Sequence, residues 1–345
     1  MSQGPIRIAV VLAGAVAKGA YEAGVLHTLA RANVQIVRIV ATSSGALNGT
    51  LLAAAVRART LEASTDRLLE LWRDEATWRG VFHPRFHIIR TLQGISDRDR
   101  VLALLREHVP PVPVGGDIDL RLLVAPLGGV TSNIDDHPAT TFESVQQFSG
   151  QDFATTESLA RVFDAATASS AFPLIFAPVE LPGLGPCVDG GAVNNTPVKW
   201  ALDGDPVDAI VVVATSVELR HGPPPEELHG LSLASHLANM LIGERLFRDL
   251  HEAEQVNTAL ARFEQLVAQG TLTSAQLQQV IAALEWEDRR RVQLIQIRPL
   301  EELPGSSFSG FFDESLRERY IEAGRERARE VLTSLASGAA RSGAA

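Results

Sequence analysis

The sequence is poor in several things, and each shortage excludes something. Its 345 residues contain one cysteine. Cys187 cannot pair within the chain, so a disulfide scaffold is excluded and a reducing compartment is compatible. Lysine is confined to Lys18 and Lys199; every other basic side chain is Arg or His. Acid exceeds base, 41 Asp and Glu against 31 Lys and Arg, giving a net charge of −10. That balance argues against a nucleic-acid partner and against purely electrostatic docking on anionic lipid. No apolar run reaches the roughly 18 residues that a spanning helix needs. No H-E-x-x-H or comparable spacing is present, so no metal and no cofactor is expected. What remains is an ordinary globular composition, 46% hydrophobic and 21% charged, with material for a large core.

Along the chain, strand and helix patterns alternate, which predicts an α/β fold with largely parallel strands. Residues 6–12, 34–41 and 209–214 read as buried strands. Residues 120–125 read as another, with 140–142 as its hairpin partner. Helices are expected at 20–31, 45–59, 62–72, 96–108 (with Ser96 and Asp99 as a capping box) and 157–168. After the Gly222–Pro225 break the texture turns helical, from 231 to about 290, with Ser274 as a cap. A strand returns at 292–297, followed by a long amphipathic helix over 313–335. The expected organisation is a catalytic core at 1–220 and a helical insertion at 221–291. The final strand and helix, 292–337, rejoin the core, and a frayed tail covers 338–345. An apolar stretch at 8–17 has the look of a secretory leader. It runs into a chemically meaningful glycine loop, however, and cytoplasmic placement is the expectation, with peripheral contact at a membrane.

Three segments carry chemistry. The first is Ala41-Thr42-Ser43-Ser44-Gly45 between a strand and a helix. It fits the nucleophile-elbow pattern G-x-S-x-G with Ala at the first small position. The sharp turn demands small neighbours and places the Ser43 hydroxyl at a helix N-terminus, where the dipole favours developing negative charge. A Ser-rich helix cap is the plainer reading. The second is Gly14-Ala15-Val16-Ala17-Lys18-Gly19, also between strand and helix. It matches neither a P-loop nor a dinucleotide fingerprint. Backbone N–H groups from such a loop can form an oxyanion hole; an ordinary tight turn is the alternative. The third is Asp189-Gly190-Gly191, an acid where the backbone turns sharply, or simply an Asx turn.

In order and context these segments resemble the patatin-like phospholipase family. That family has a glycine-rich loop after its first strand, a G-x-S-x-G serine and a D-G-[GA] aspartate, acting as a Ser–Asp dyad without histidine. The flanks agree, from 20–26 and 45–48 to Ala168-Ser169-Ser170-Ala171-Phe172-Pro173 and Asn194-Asn195-Thr196-Pro197. The resemblance implies a three-layer α/β/α fold with a mostly parallel central sheet. It implies lipid acyl-ester hydrolysis by Ser43 and Asp189, with the oxyanion held by N–H groups around Ala15 and Val16. These two residues stand where the family has glycine. A residue forced to positive φ there costs about 1–2 kcal/mol. Lys18 would place positive charge near the loop or meet a lipid phosphate.

Two other readings stay open. An α/β-hydrolase triad would recruit a later histidine, His221, His229, His236 or His251. A lipid-binding scaffold would keep the fold without the chemistry. The helical stretch reads as packed core with a homo-oligomer surface, or as a lid presenting Leu237, Met240, Leu241 and Ile242 to lipid. Phe308, Phe311 and Phe312 read as a staple docking the last helix.

Overall fold

A computed structural model describes residues 5–82, 96–134, 137–173, 175–217, 230–284, 286 and 290–342, with backbone alone at 132–134, 137–139, 230–247, 249 and 336–342. The Gly222–Pro225 break, His221 and His229 lie outside the described residues. So do the side chains of His236, Leu237, Met240, Leu241 and Ile242.

The first half runs β1 (Ile6–Leu12), α1 (Gly19–Leu29), β2 (Val34–Ala41), α2 (Ser44–Ala58), α3 (Leu61–Glu70), α4 (Trp78–Val81), α5 (Asp99–His108), β3 (Asp119–Pro126), β4 (Val130–Ile134), β5 (His137–Thr141) and β6 (Ser144–Phe148). It continues through α6 (Thr156–Ser169), β7 (Val179–Leu181), β8 (Gly185–Asp189), α7 (Val198–Leu202), β9 (Ala209–Val213), α8 (Gly230–Ala268), α9 (Ser274–Ala283), β10 (Gln293–Ile297) and α10 (Glu314–Ser342).

One sheet has the order β10-β9-β1-β2-β3-β8-β7, with β6 also on β3. The pairs β10–β9, β9–β1, β1–β2 and β2–β3 are parallel; β6, β8 and β7 join antiparallel. β1 sits in the middle and is apolar almost throughout because both its faces are covered. Ile8, Val10 and Leu12 point into the larger core with α1, α2, α6 and α10. Ala9, Val11 and Ala13 meet Val198, Ala201, Leu250 and Val292 on the other face. The result is the mostly parallel α/β sheet that the alternating pattern predicts, in the three-layer α/β/α arrangement that the resemblance implies.

Several local expectations are corrected. The partner of β3 is β6, Ser144–Phe148, while 137–141 pairs with β4 in a separate two-stranded ribbon. The 140–142 stretch, Thr140-Thr141-Phe142, packs nothing into the main sheet, and Phe142 is left 52% exposed. The helix expected over 62–72 leaves α-geometry after Glu70 and turns once as a π-helix over Leu71–Glu75. The helix expected from Ser96 starts at Asp99; the Asp97 carboxylate accepts from the Asp99 N–H, and Ser96 donates to the Asp97 carbonyl. Thr273, not Ser274, caps α9, through a reciprocal pair of bonds with Gln276. No helix among the described residues is long and apolar enough to cross a membrane.

Candidate active site

Open α/β sheets expose their crevices at the carboxyl ends of the strands, and two site loops leave there. The chain leaves β2 into α2 through Ser43, which sits at φ 55°, ψ −133°. A non-glycine residue at positive φ is uncommon and costs on the order of 1–3 kcal/mol, so the surroundings must hold it. Two tight fits do so. A Cβ on Gly45 would lie 2.6 Å from the Leu12 carbonyl oxygen, so the turn closes only with glycine there. Ala41, which replaces the usual first glycine, has room because Gly49 faces it: a Cβ on Gly49 would come within 3.1 Å of the Ala41 methyl. The Ser43 N–H donates to both the carbonyl and the hydroxyl of Ser169 at 3.1 Å. The Ser43 side chain does not cap α2, so the helix-cap reading fails.

Instead, the Ser43 hydroxyl donates to Asp189 Oδ2 at 2.6 Å. Asp189 ends β8, which lies against β3. The other carboxylate oxygen accepts the Gly191 N–H at 2.7 Å. Asp189 is 2% exposed. Burial pushes its carboxyl up to about 7, opposed by the hydrogen bonds from Ser43 and Gly191. A carboxylate poised near neutrality and bonded to a hydroxyl is a competent general base. His251, the described member of the triad candidates, bonds Gln255 one turn along α8. Among the described residues, no histidine bonds Asp189.

The glycine loop closes over this pair. Asn195 clamps it twice: the Gly14 N–H donates to the Asn195 carbonyl at 3.1 Å, and Asn195 Nδ2 donates to the Gly14 carbonyl at 2.9 Å. Gly14 passes so close that a Cβ there would lie 2.7 Å from Ser43 Cβ. Most loop N–H groups are engaged. Ala15 N–H donates to Ser44 Oγ at 3.0 Å, Ala17 N–H to the Ser307 carbonyl and Lys18 N–H to the Ala15 carbonyl. That corrects the expectation of a donor at Ala15: the hydroxyl of Ser44 takes it. The Val16 N–H has no acceptor among the described residues, and Val16 is held at φ 53°. A β-branched residue in that region is a strained outlier, the kind that concentrates at functional sites. Lys18 is half-buried; burial lowers its ammonium and Glu302 pushes back.

Below the loop lies an apolar cavity holding about 820 Å3 of unfilled space, counting the part open to solvent, and Val16, Ser43 and Asp189 stand on its lining. Trp72, Phe176, Phe308 and Phe311 wall it. Trp72 is steered by its Nε1–H, which donates to Asn48 Oδ1 at 2.8 Å, and Asn48 in turn donates to the Gly19 carbonyl and to the fully buried Glu22. Burial holds the Glu22 carboxyl well above the usual range. Cys187 is buried with its thiol pushed up to about 11, which makes it inert.

The Patatin-like phospholipase family model matches residues 10–202. This chain belongs to the patatin-like phospholipase family. Its mostly parallel α/β/α sheet agrees with that family, and membership places it among lipid acyl hydrolases in general terms. Among solved structures it is similar to VipD from Legionella pneumophila, with 12% identity over 96% of this chain and 67% of that one, at a TM-score of 0.41. It is also similar to the heterodimeric ExoU–SpcU complex from the type III secretion system of Pseudomonas aeruginosa, with 13% identity over 96% of this chain and 52% of the matched one, at a TM-score of 0.34. The chain thus spans about half of that second protein. No curated protein matches it.

Some of this patatin-like site escapes the sequence. Phe308 and Phe311 are cavity walls rather than only a staple, while Phe312 lies outside, 66% exposed, stacked 4.9 Å from Trp78. Nothing in their spacing distinguishes wall from staple. Glu22 carries a weak signal, a lone acid inside the apolar run Ala20–Leu26.

Proposed function

We propose that this chain hydrolyses the acyl esters of lipids through an acyl-enzyme formed on Ser43, with Asp189 as the base. The observation that carries the reading is the 2.6 Å bond from Ser43 to Asp189 at the head of an apolar cavity. As the Ser43 oxygen attacks the ester carbonyl, its proton moves to Asp189 Oδ2. The carbonyl oxygen becomes an oxyanion beside the Val16 N–H, whose strained backbone holds a donor free for it; one such donor is commonly worth about 10²–10³ in rate. Asp189 returns the proton to the leaving alcohol. Water then attacks the acyl-enzyme, with Asp189 again accepting a proton and Ser43 regaining its own. The apolar cavity takes the acyl chain. Substrate reaches it by transient contact with a lipid surface.

Residues 1–220 and 292–337 form the catalytic unit in this proposal, and 221–291 is a helical addition. The test is ester hydrolysis by purified wild type, Ser43→Ala and Asp189→Asn. Loss in both is expected; retained activity in either overturns the dyad.

A further inference from the structure

The cavity has a measurable depth. Ser44, Leu47, Asn48 and Leu51 all line it, and their i, i+3, i+4, i+7 spacing puts them on one face of α2. A helix advances about 1.5 Å per residue, so the cavity follows α2 for about 10 Å from the elbow.

The opposite wall runs the same way. At the head of α5, Arg98 donates to Thr167, two residues before the Ser169 that holds the Ser43 N–H. Past the tail of α5, the carbonyls of Val112, Pro113, Gly115 and Gly116 accept from Arg57 at the tail of α2. Both helices therefore lead away from Ser43. The lining stops at Leu51 on α2 and Leu105 on α5. Beyond them Ala55 and Val109 are packed in the core, and the buried Arg57 donates four hydrogen bonds to those carbonyls, which ties the tail of α2 to the segment after α5. Ala55 continues the lining face of α2, and with Val109 packed opposite there is no room for a longer apolar chain.

We infer that Leu51 and Leu105 form the floor of an acyl ruler, which selects acyl chains of medium length. An extended chain of single bonds advances about 1.2 Å per bond, as the backbone does at ~3.6 Å per three bonds, so the ~10 Å depth takes about eight carbons. The selection for ester substrates rests on the hydrolase reading; the depth of the cavity does not.

The experiment separates the two. Saturated fatty acids from four to sixteen carbons are titrated calorimetrically, below their micelle thresholds, into the full Ser43→Ala chain. Affinity is expected to rise about fourfold per methylene while each is buried, and to go flat beyond about eight carbons. In Ser43→Ala/Leu51→Ala the break moves two or three carbons longer, and Ser43→Ala/Leu105→Ala gives the same readout should the first variant fail to fold. In wild type, kcat/KM against p-nitrophenyl esters peaks near the same length. An affinity that climbs steadily to sixteen carbons, a break that neither variant moves, or no fatty-acid binding at all overturns the ruler. A break at about eight carbons with no ester hydrolysis by wild type supports the floor and overturns the hydrolase reading instead.

Discussion

Replacing Asp189 by Asn should destroy activity and stabilise the fold at the same time. The buried carboxyl titrates near 7 when folded and at 3.8 when free. Between those values the folded chain holds a proton that the unfolded chain releases, so stability falls as pH rises through the window and levels off above about 7. The gap corresponds to on the order of 4 kcal/mol in full, about 2–3 kcal/mol of which is lost between pH 5 and pH 8. Asn fills the same volume and keeps both contacts. Its Oδ1 accepts from the Gly191 N–H, and its Nδ2 donates to the Ser43 oxygen. It carries no titratable group, so its stability advantage over wild type should grow from pH 5 to pH 8 by that amount. Removing the base should cost about 10²–10⁴ in rate. Urea unfolding of both proteins at the two pH values, beside an ester assay, measures each quantity. A variant that is equally destabilised at pH 5 and pH 8 would refute the claim that burial, rather than structure lost elsewhere, sets the Asp189 proton affinity.

Other outcomes follow from the same geometry. Wild-type kcat/KM should rise about tenfold per pH unit below 7 and flatten above it, because the base must be ionised; a pH–rate profile with no inflection near 7 contradicts the role of Asp189. Gly45→Val would drive a side chain into the Leu12 carbonyl, which a Cβ already reaches at 2.6 Å, so chemical denaturation should report a loss of several kcal/mol, at the severe end for single substitutions. Arg317→Ala removes the bonds from a buried guanidinium to the Arg73 and Gly310 carbonyls. Those bonds pin the Phe308–Phe311 wall to the π-turn, so fatty-acid affinity should drop along with about 1–3 kcal/mol of stability; unchanged affinity would show that the wall holds itself.

Much of the fold is legible because its signals are local. The strands β1, β2 and β9 announce themselves as apolar runs since both faces of the sheet are covered, and the elbow and the Asp189 turn are visible as short motifs. Their meeting, across 146 residues of chain, is not visible in either motif; it is implied only by the family that the motifs, taken in order, resemble. What stays hidden depends on where one side chain points. Which loop N–H is left free turns on the Ser44 hydroxyl bonding Ala15. The tolerance for Ala41 turns on an absent side chain at Gly49, eight residues away. The swap of β5 for β6 beside β3 turns on which short polar strand offers Val145 and Phe148 to the sheet. The cavity walls from Trp72, Phe308 and Phe311 come from segments with no periodic relation to the motifs.

The account stands or falls on an activated Ser43. Treating the full chain with a fluorophosphonate ester and mapping the adduct by peptide mass spectrometry tests that directly. The account predicts stoichiometric labelling of the peptide containing Ser43, absent in Ser43→Ala and slowed about 10²-fold or more in Asp189→Asn, as expected for loss of a general base. Labelling at another residue, or an ester-hydrolysing preparation in which Ser43 stays unmodified, would contradict it.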